Sequence, residues 1–107
     1  MAVLRIVRGP ELGREYVLKP SGETLGRKHD CSIVLSHRSV SRSHARIVCV
    51  DDQYVLEDLQ SHNGTIVNGQ NCERHALQEN DRIKICGYEF VFAEQPSMSM
   101  SQDETIE

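Results

Sequence analysis

The feature that most constrains this chain is a succession of short, strand-forming segments separated by turn residues. No stretch repeats an apolar residue every 3.6 positions over three turns, as an amphipathic helix would. β-Branched, aromatic and aliphatic residues instead occur in short, partly alternating runs, which are typical of β-strands. The predicted strands cover residues 3–7, 15–18, 23–25, 32–35, 45–50, 54–58, 65–67, 82–85 and 88–92.

Turn residues lie between almost all of these segments. The strongest signal is Asn68-Gly69, because both residue types tolerate the positive φ that a type I′ hairpin turn requires. Gly9-Pro10, Asp51-Asp52 and Asn80-Asp81 mark further turns. Many short strands at close spacing predict an all-β fold, a two-sheet antiparallel β-sandwich.

The distribution of charge limits the class of partner. The length of 107 residues is that of a single domain. The net charge of −4 argues against a general nucleic-acid binder. Residues 27–47, however, carry five basic residues and one acidic residue, whereas the remaining positions carry seven basic and fifteen acidic residues. Such a basic island indicates either a solvated polar surface or a site for a small, defined anion.

Cysteine and histidine spacing gives no sign of a cofactor. The four cysteines lie far apart without a C-x-x-C pair, and the five histidines lack the spacing of zinc ligands. We therefore expect reduced thiols, no metal and no cofactor. We find neither a signal peptide nor an apolar run that could span a membrane, so we expect a cytoplasmic protein without a membrane partner, or a nuclear one if the organism is eukaryotic.

Composition changes after Glu94. Residues 95–107 are polar and acidic without a core pattern, so they are predicted to form a flexible tail or truncated linker after a domain at residues 1–94. Thr105 lies there among acidic residues, as a kinase acceptor site can. If phosphorylated, it could dock into its own or a neighbouring copy, although an inert linker explains the same composition.

Three motifs carry polar residues that strand patterning does not explain. They are Gly26-Arg27, Ser41-Arg42-Ser43-His44, and Ser61-His62-Asn63-Gly64-Thr65 with Asn68-Gly69 beyond it. Arginine forks, hydroxyls and backbone N–H groups are what a phosphate dianion binds. Each motif taken alone is explained equally well by ordinary turns and local caps.

Taken together, in this order and at this spacing, the motifs resemble the forkhead-associated (FHA) domain. The similarity extends to Leu77, Asp81-Arg82-Ile83, Gly87 and Phe90-Val91-Phe92 near the end, and covers residues 3–94. It implies a sandwich of the FHA/SMAD-like kind with binding loops at one end. It also implies a phosphothreonine-dependent interaction module that acts as a signalling adaptor within a larger protein, downstream of a Ser/Thr kinase.

The resemblance also implies roles for individual residues. Arg27 would be the principal phosphate ligand, Ser41 would donate its hydroxyl, and Asn63 would hold the peptide backbone. The full predicted phosphopeptide-binding set is Arg27, Ser41, Arg42, His62, Asn63 and Thr65. The loops would be supported by Gly26, His44, Gly64 and Asn68. His62 departs from the family, which often has Ser or Thr at this position, and Asn80 replaces a usual Gly.

Two other functional classes remain open. An enzyme would use Ser41 as nucleophile, His44 as base and Asp58 to orient it, but no oxyanion-hole or cofactor motif accompanies them, so catalysis is not expected. A phosphate-independent β-sandwich scaffold would use a sheet face instead. Retention of Arg27, Ser41 and Asn63 counts against that alternative.

Overall fold

The computed structural model describes residues 2–94, and these residues form β-strands, turns and loops without a helix. The predicted tail, including Thr105, lies outside the described residues. The strands are β1 (Val3–Arg8), β2 (Glu15–Val17), β3 (Glu23–Gly26), β4 (Ile33–Val34), β5 (Ala45–Val50), β6 (Gln53–Asp58), β7 (Ile66–Val67), β8 (Gln70–Asn71), β9 (Arg74–Ala76), β10 (Arg82–Ile85) and β11 (Tyr88–Ala93).

The strands form two sheets. One sheet has six strands in the order β2-β1-β11-β10-β7-β8, and the other has five in the order β4-β3-β5-β6-β9. The predicted two-sheet sandwich is confirmed. One pair departs from the predicted antiparallel arrangement, because β4 runs parallel to β3, with Leu25 opposite Ile33 and Gly26 opposite Val34. Parallel neighbours are usually joined by a long crossover, but here the short loop over residues 27–32 returns the chain beside β3.

The core follows from alternation along the strands. In β10, Ile83 and Ile85 are buried while Arg82 and Lys84 are exposed, as a period of two requires. The inward-facing residues of both sheets then meet in one apolar cluster. Its largest fully buried apolar side chains are Phe90, Phe92, Leu4, Ile6, Leu25, Ile33, Leu35, Ile47, Leu56, Ile83 and Ile85.

Two short strands were not predicted from the sequence. β8 follows the Asn68-Gly69 turn, whose residues have φ of 51° and 85°, so the predicted hairpin is confirmed. β9 pairs with β6 at the edge of its sheet, with Ala76 opposite Val55. The sequence of β9, Arg-His-Ala, has little strand propensity of its own, so its pairing with β6 determines its conformation.

Three loops meet at one end of the sandwich. Loop 1 (residues 27–32) joins β3 to β4, loop 2 (residues 35–44) joins β4 to β5, and loop 3 (residues 59–65) joins β6 to β7. Loop 2 is also fixed to the other sheet, since the Ser36 N–H donates to the Tyr88 hydroxyl at 3.1 Å. β11 begins at this end, so residue 94 lies at the opposite end of the sandwich.

The described residues lack two features that would indicate other functions. Between residues 2 and 94 there is no helix with the length and apolarity that a membrane crossing needs. Within the same range, no three His, Cys, Asp or Glu side chains are grouped so that they could hold a metal ion.

Candidate functional site

Loops 1 and 2 lie side by side through backbone hydrogen bonds. The Arg27 N–H donates to the Ser41 carbonyl at 3.0 Å, and the Lys28 N–H donates to the Arg42 carbonyl at 3.2 Å. Two residues that are fourteen positions apart in the sequence, Arg27 and Ser41, are thereby held as neighbours. The contact depends on strand pairing, because β3 and β5 are adjacent in the same sheet.

Gly26 allows this close approach. A Cβ atom at position 26 would lie 2.1 Å from the Arg42 carbonyl oxygen and 3.0 Å from the Cys31 Sγ. Real Cβ atoms do not approach backbone oxygen so closely, so any larger residue would separate the two loops. The same carbonyl also accepts a weak hydrogen bond from the Cys31 thiol at 3.4 Å.

The Arg27 guanidinium is held by a hydrogen bond at Nε, which leaves its two terminal nitrogens available for a ligand. Its Nε donates to the Val40 carbonyl at 3.0 Å, which directs the guanidinium along loop 2. Among residues 2–94 the terminal nitrogens of Arg27 have no protein partner, and the residue is exposed. A positioned guanidinium with free N–H groups can bind a phosphate with two parallel hydrogen bonds.

The Ser41 hydroxyl links loop 2 to loop 3. Its oxygen accepts a hydrogen bond of 2.8 Å from the His62 N–H. A hydroxyl can accept and donate at the same time, so the Ser41 proton remains available to an external acceptor. The His62 side chain itself is exposed and has no partner within the described part of the chain.

His44 is fully buried and holds loops 2 and 3 together. Its Nδ1 accepts from the Ser41 N–H at 3.1 Å, so the ring proton resides on Nε2, which donates to the Gly64 carbonyl at 2.8 Å. Both ring nitrogens are therefore occupied by backbone groups. Ser41, His44 and Asp58 do not form the hydrogen-bonded chain of a hydrolase triad, because Asp58 bonds elsewhere.

Asp58 stabilises loop 3 through hydrogen bonds to its backbone and hydroxyl groups. Its carboxylate accepts from the Ser61 N–H at 3.0 Å and from the hydroxyls of Ser61 at 2.6 Å and Thr65 at 2.7 Å. Burial alone would raise the pKa of Asp58, but these hydrogen bonds outweigh it and hold the pKa below its ordinary value. This role of Asp58 was not predicted from the sequence. An acidic residue three positions before Ser61 was the available signal, since such residues cap turns.

Asn63 lies where loop 3 meets loop 2. Its side-chain Nδ2 donates to the Ser39 carbonyl at 2.7 Å, and the Cys86 thiol donates to the same oxygen at 3.1 Å. The Asn63 amide also hydrogen-bonds the Cys86 side chain, so its oxygen is the atom left for a contact with an extended peptide backbone. Asn63 is exposed, as such a contact requires.

Two predicted site residues lie elsewhere than expected. Thr65 is fully buried and donates to Asp58, so it cannot touch a bound peptide and belongs with the residues that support loop 3. Asn68 was expected to support the binding loops. Its amide instead bonds to the Asp81 carboxylate at 2.9 Å and the Arg82 N–H at 3.0 Å, and none of its described hydrogen bonds reaches loops 1–3.

Comparison with known protein families identifies the fold. The family pattern of the FHA domain matches residues 23–86, which include all three loops and the strands that carry them. The chain belongs to the FHA domain family. A relative from Mycobacterium tuberculosis, the transcriptional regulatory protein EmbR, is 42% identical over 81 residues, covering 75% of this chain and 21% of EmbR.

A second relative is the oxoglutarate dehydrogenase inhibitor of Corynebacterium jeikeium. It is 36% identical over 91 residues, covering 85% of this FHA domain chain and 63% of the inhibitor. The chain thus spans between a fifth and two thirds of the length of these curated relatives. Both relatives are named as regulators, of transcription in one case and of an enzyme in the other.

Solved FHA structures superpose closely on this one. EmbR of Mycobacterium tuberculosis in complex with a low-affinity phosphopeptide has a TM-score of 0.79 and 39% identity, covering 86% of this chain and 24% of EmbR. An FHA domain with phosphothreonine-dependent interactions has a TM-score of 0.80 and 29% identity, covering 89% of this chain and 97% of its own.

Proposed function

We propose that this FHA domain binds a phosphothreonine in a partner protein and acts as a signalling adaptor downstream of a Ser/Thr kinase. The observation that carries the proposal is the backbone contact between two residues that bear phosphate donors. The free end of the Arg27 guanidinium and the hydroxyl of Ser41 belong to residues whose backbones are hydrogen-bonded at 3.0 Å. Charge-assisted bonds from such a pair match the oxygens of one phosphate group.

The remaining loop residues complete this site. Asn63 holds the peptide backbone beside the phosphate, and Arg42 and His62 add charge or a further contact. Gly26, His44 and Gly64 keep the loops in position, together with Asp58 and Thr65. Threonine is preferred to serine because burial of its γ-methyl group in a pocket contributes about 1 kcal/mol to binding.

In this proposal residues 1–94 are the complete binding module and residues 95–107 are a tail or linker within a longer protein. The module is cytoplasmic, or nuclear in a eukaryote, and it binds no nucleic acid, membrane or cofactor. It catalyses nothing, which accords with a His44 ring whose two nitrogens are occupied by backbone groups.

A binding titration tests the proposal. Fluorescence anisotropy would compare a phosphothreonine peptide, taken from an array screen, with its unphosphorylated and phosphoserine forms. Arg27→Ala should weaken phosphopeptide binding tenfold to a hundredfold, since a charge-assisted hydrogen bond is worth about 1.5–3 kcal/mol. Arg27→Lys should recover part of the loss, because lysine keeps the charge without the fork.

The matched control is Arg82→Ala, which removes an exposed arginine on β10, away from loops 1–3. Its affinity should equal that of the wild type. Unchanged binding by Arg27→Ala would refute the role of Arg27. Equal binding of the unphosphorylated peptide would instead favour the phosphate-independent scaffold, and turnover of an acyl or phosphoryl substrate would favour an enzyme.

A further inference from the structure

The arginines of this protein fall into two groups that differ in their partners. Outside loops 1–3, five of the six arginines make ion pairs with carboxylates of the described chain; these are Arg8, Arg14, Arg46, Arg74 and Arg82. None of the three arginines in the loops, Arg27, Arg38 and Arg42, makes an ion pair within residues 2–94. Within the described residues, the fold therefore pairs most of the arginines outside loops 1–3 and leaves those of the loops without an ion pair.

The charges of the loops are also out of balance. Loops 1–3 contain four basic residues and one acidic residue, Asp30, whereas the rest of the chain has eight basic and fifteen acidic residues. Asp30 is 3.7 Å from the Lys28 ammonium, so it offsets that lysine rather than an arginine. Asp58, the last residue of β6, is partly buried and bonds to the hydroxyls of loop 3. The exposed surface of the loops is thus strongly positive.

Arg27 is not the only exposed arginine of the loops. Arg38 and Arg42 occupy other positions of loop 2 and also have exposed side chains. The backbone of Arg42 is fixed by two donors to its carbonyl, from Lys28 at 3.2 Å and from Cys31 at 3.4 Å. A fixed backbone with an exposed, unpaired side chain is suited to a contact with the ligand.

We propose that Arg38 and Arg42 select phosphothreonine peptides whose neighbouring residues are acidic. This inference rests on the proposed phosphothreonine function and adds a preference that the phosphate contact alone does not give. Rim charges of this kind raise the association rate and discriminate against like-charged partners. Each exposed ion pair should change the dissociation constant about one-and-a-half- to fivefold, and the effect should weaken as salt screens it.

Three matched phosphothreonine peptide libraries would test the preference. They differ only in the residues flanking the phosphothreonine, which are Asp and Glu, Asn and Gln, or Lys and Arg. Dissociation constants would be measured by anisotropy at low and high salt for the wild type and for Arg38→Gln/Arg42→Gln. The control, Lys19→Gln/Arg82→Gln, also removes two exposed positive charges, but outside the loops, because Lys19 follows β2 and Arg82 lies opposite Val91 on β10.

The acidic library should bind most tightly and the basic library most weakly. The differences in dissociation constant between the libraries should disappear in Arg38→Gln/Arg42→Gln and remain in the control. Unchanged discrimination in the loop variant would overturn the inference. An equal loss for all three libraries would also overturn it, because the arginines would then bind the phosphate itself. Binding that does not depend on phosphorylation would refute the proposed phosphothreonine function itself. A failure of the acidic preference alone would leave that function intact.

Discussion

His44→Ala removes the side chain that joins loops 2 and 3 inside the protein. The imidazole is fully buried and makes two hydrogen bonds, at 3.1 Å to the Ser41 N–H and at 2.8 Å to the Gly64 carbonyl. Their net worth is about 0.5–1.5 kcal/mol each, and the cavity left by the ring costs about 1–2 kcal/mol more. The free energy of unfolding should therefore fall by about 2–5 kcal/mol.

Urea unfolding followed by tyrosine fluorescence measures this loss. With an unchanged slope, the midpoint should fall by roughly 1–3 M. His29→Ala is the matched control, since His29 is exposed and has no described partner, and its effect should stay within about 0.5 kcal/mol. Phosphopeptide affinity, measured where His44→Ala is still folded, should also fall, because Ser41 is no longer positioned. A variant within about 1 kcal/mol of wild type in stability would refute the argument.

Three further predictions concern the same loops. Gly26→Ala should cost about 1–3 kcal/mol of stability and weaken phosphopeptide binding, because the added Cβ displaces the Arg42 carbonyl; wild-type thermal unfolding and affinity would contradict this. The depressed pKa of Asp58 stabilises the fold fully above the ordinary value of 3.8, and that contribution is lost as the pH falls through the folded value. The difference in free energy of unfolding between wild type and Asp58→Asn, measured in acid titrations, should therefore become smaller below pH 3.8. A difference that does not change with pH would contradict this role of Asp58. If phosphorylated Thr105 docks into a neighbouring copy, kinase treatment should produce self-association in sedimentation experiments, and Arg27→Ala should abolish it; monomers at high concentration would exclude docking between copies.

Local sequence patterns were sufficient for much of the fold. Alternation of apolar and polar residues identified the longer strands, since burial of one sheet face imposes a period of two. Asn68-Gly69 identified its hairpin because few residue types adopt positive φ on consecutive positions. Asn80 has a φ of 72°, which explains how it can replace the family's glycine.

The sequence distinguished residues that contact the peptide from residues that support the loops only in part. Arg27, Ser41 and Asn63 were chosen by resemblance to the family, and the structure brings their loops together through hydrogen bonds. Thr65 stands beside them in the sequence, yet it is fully buried. Adjacent residues of a loop can point to the core or to solvent, and the sequence motif does not distinguish the two.

The sequence by itself determined the β class, the main turns and the family, because those depend on residues that are near one another in the chain. Tertiary structure alone decided the parallel β3–β4 pair, the edge strand β9 and the contacts that bring Arg27 beside Ser41. It also decided that Asp58 supports loop 3 and that the loop arginines make no ion pair with the residues from 2 to 94. These features depend on pairing between segments distant in the chain, and local propensity does not encode such pairing.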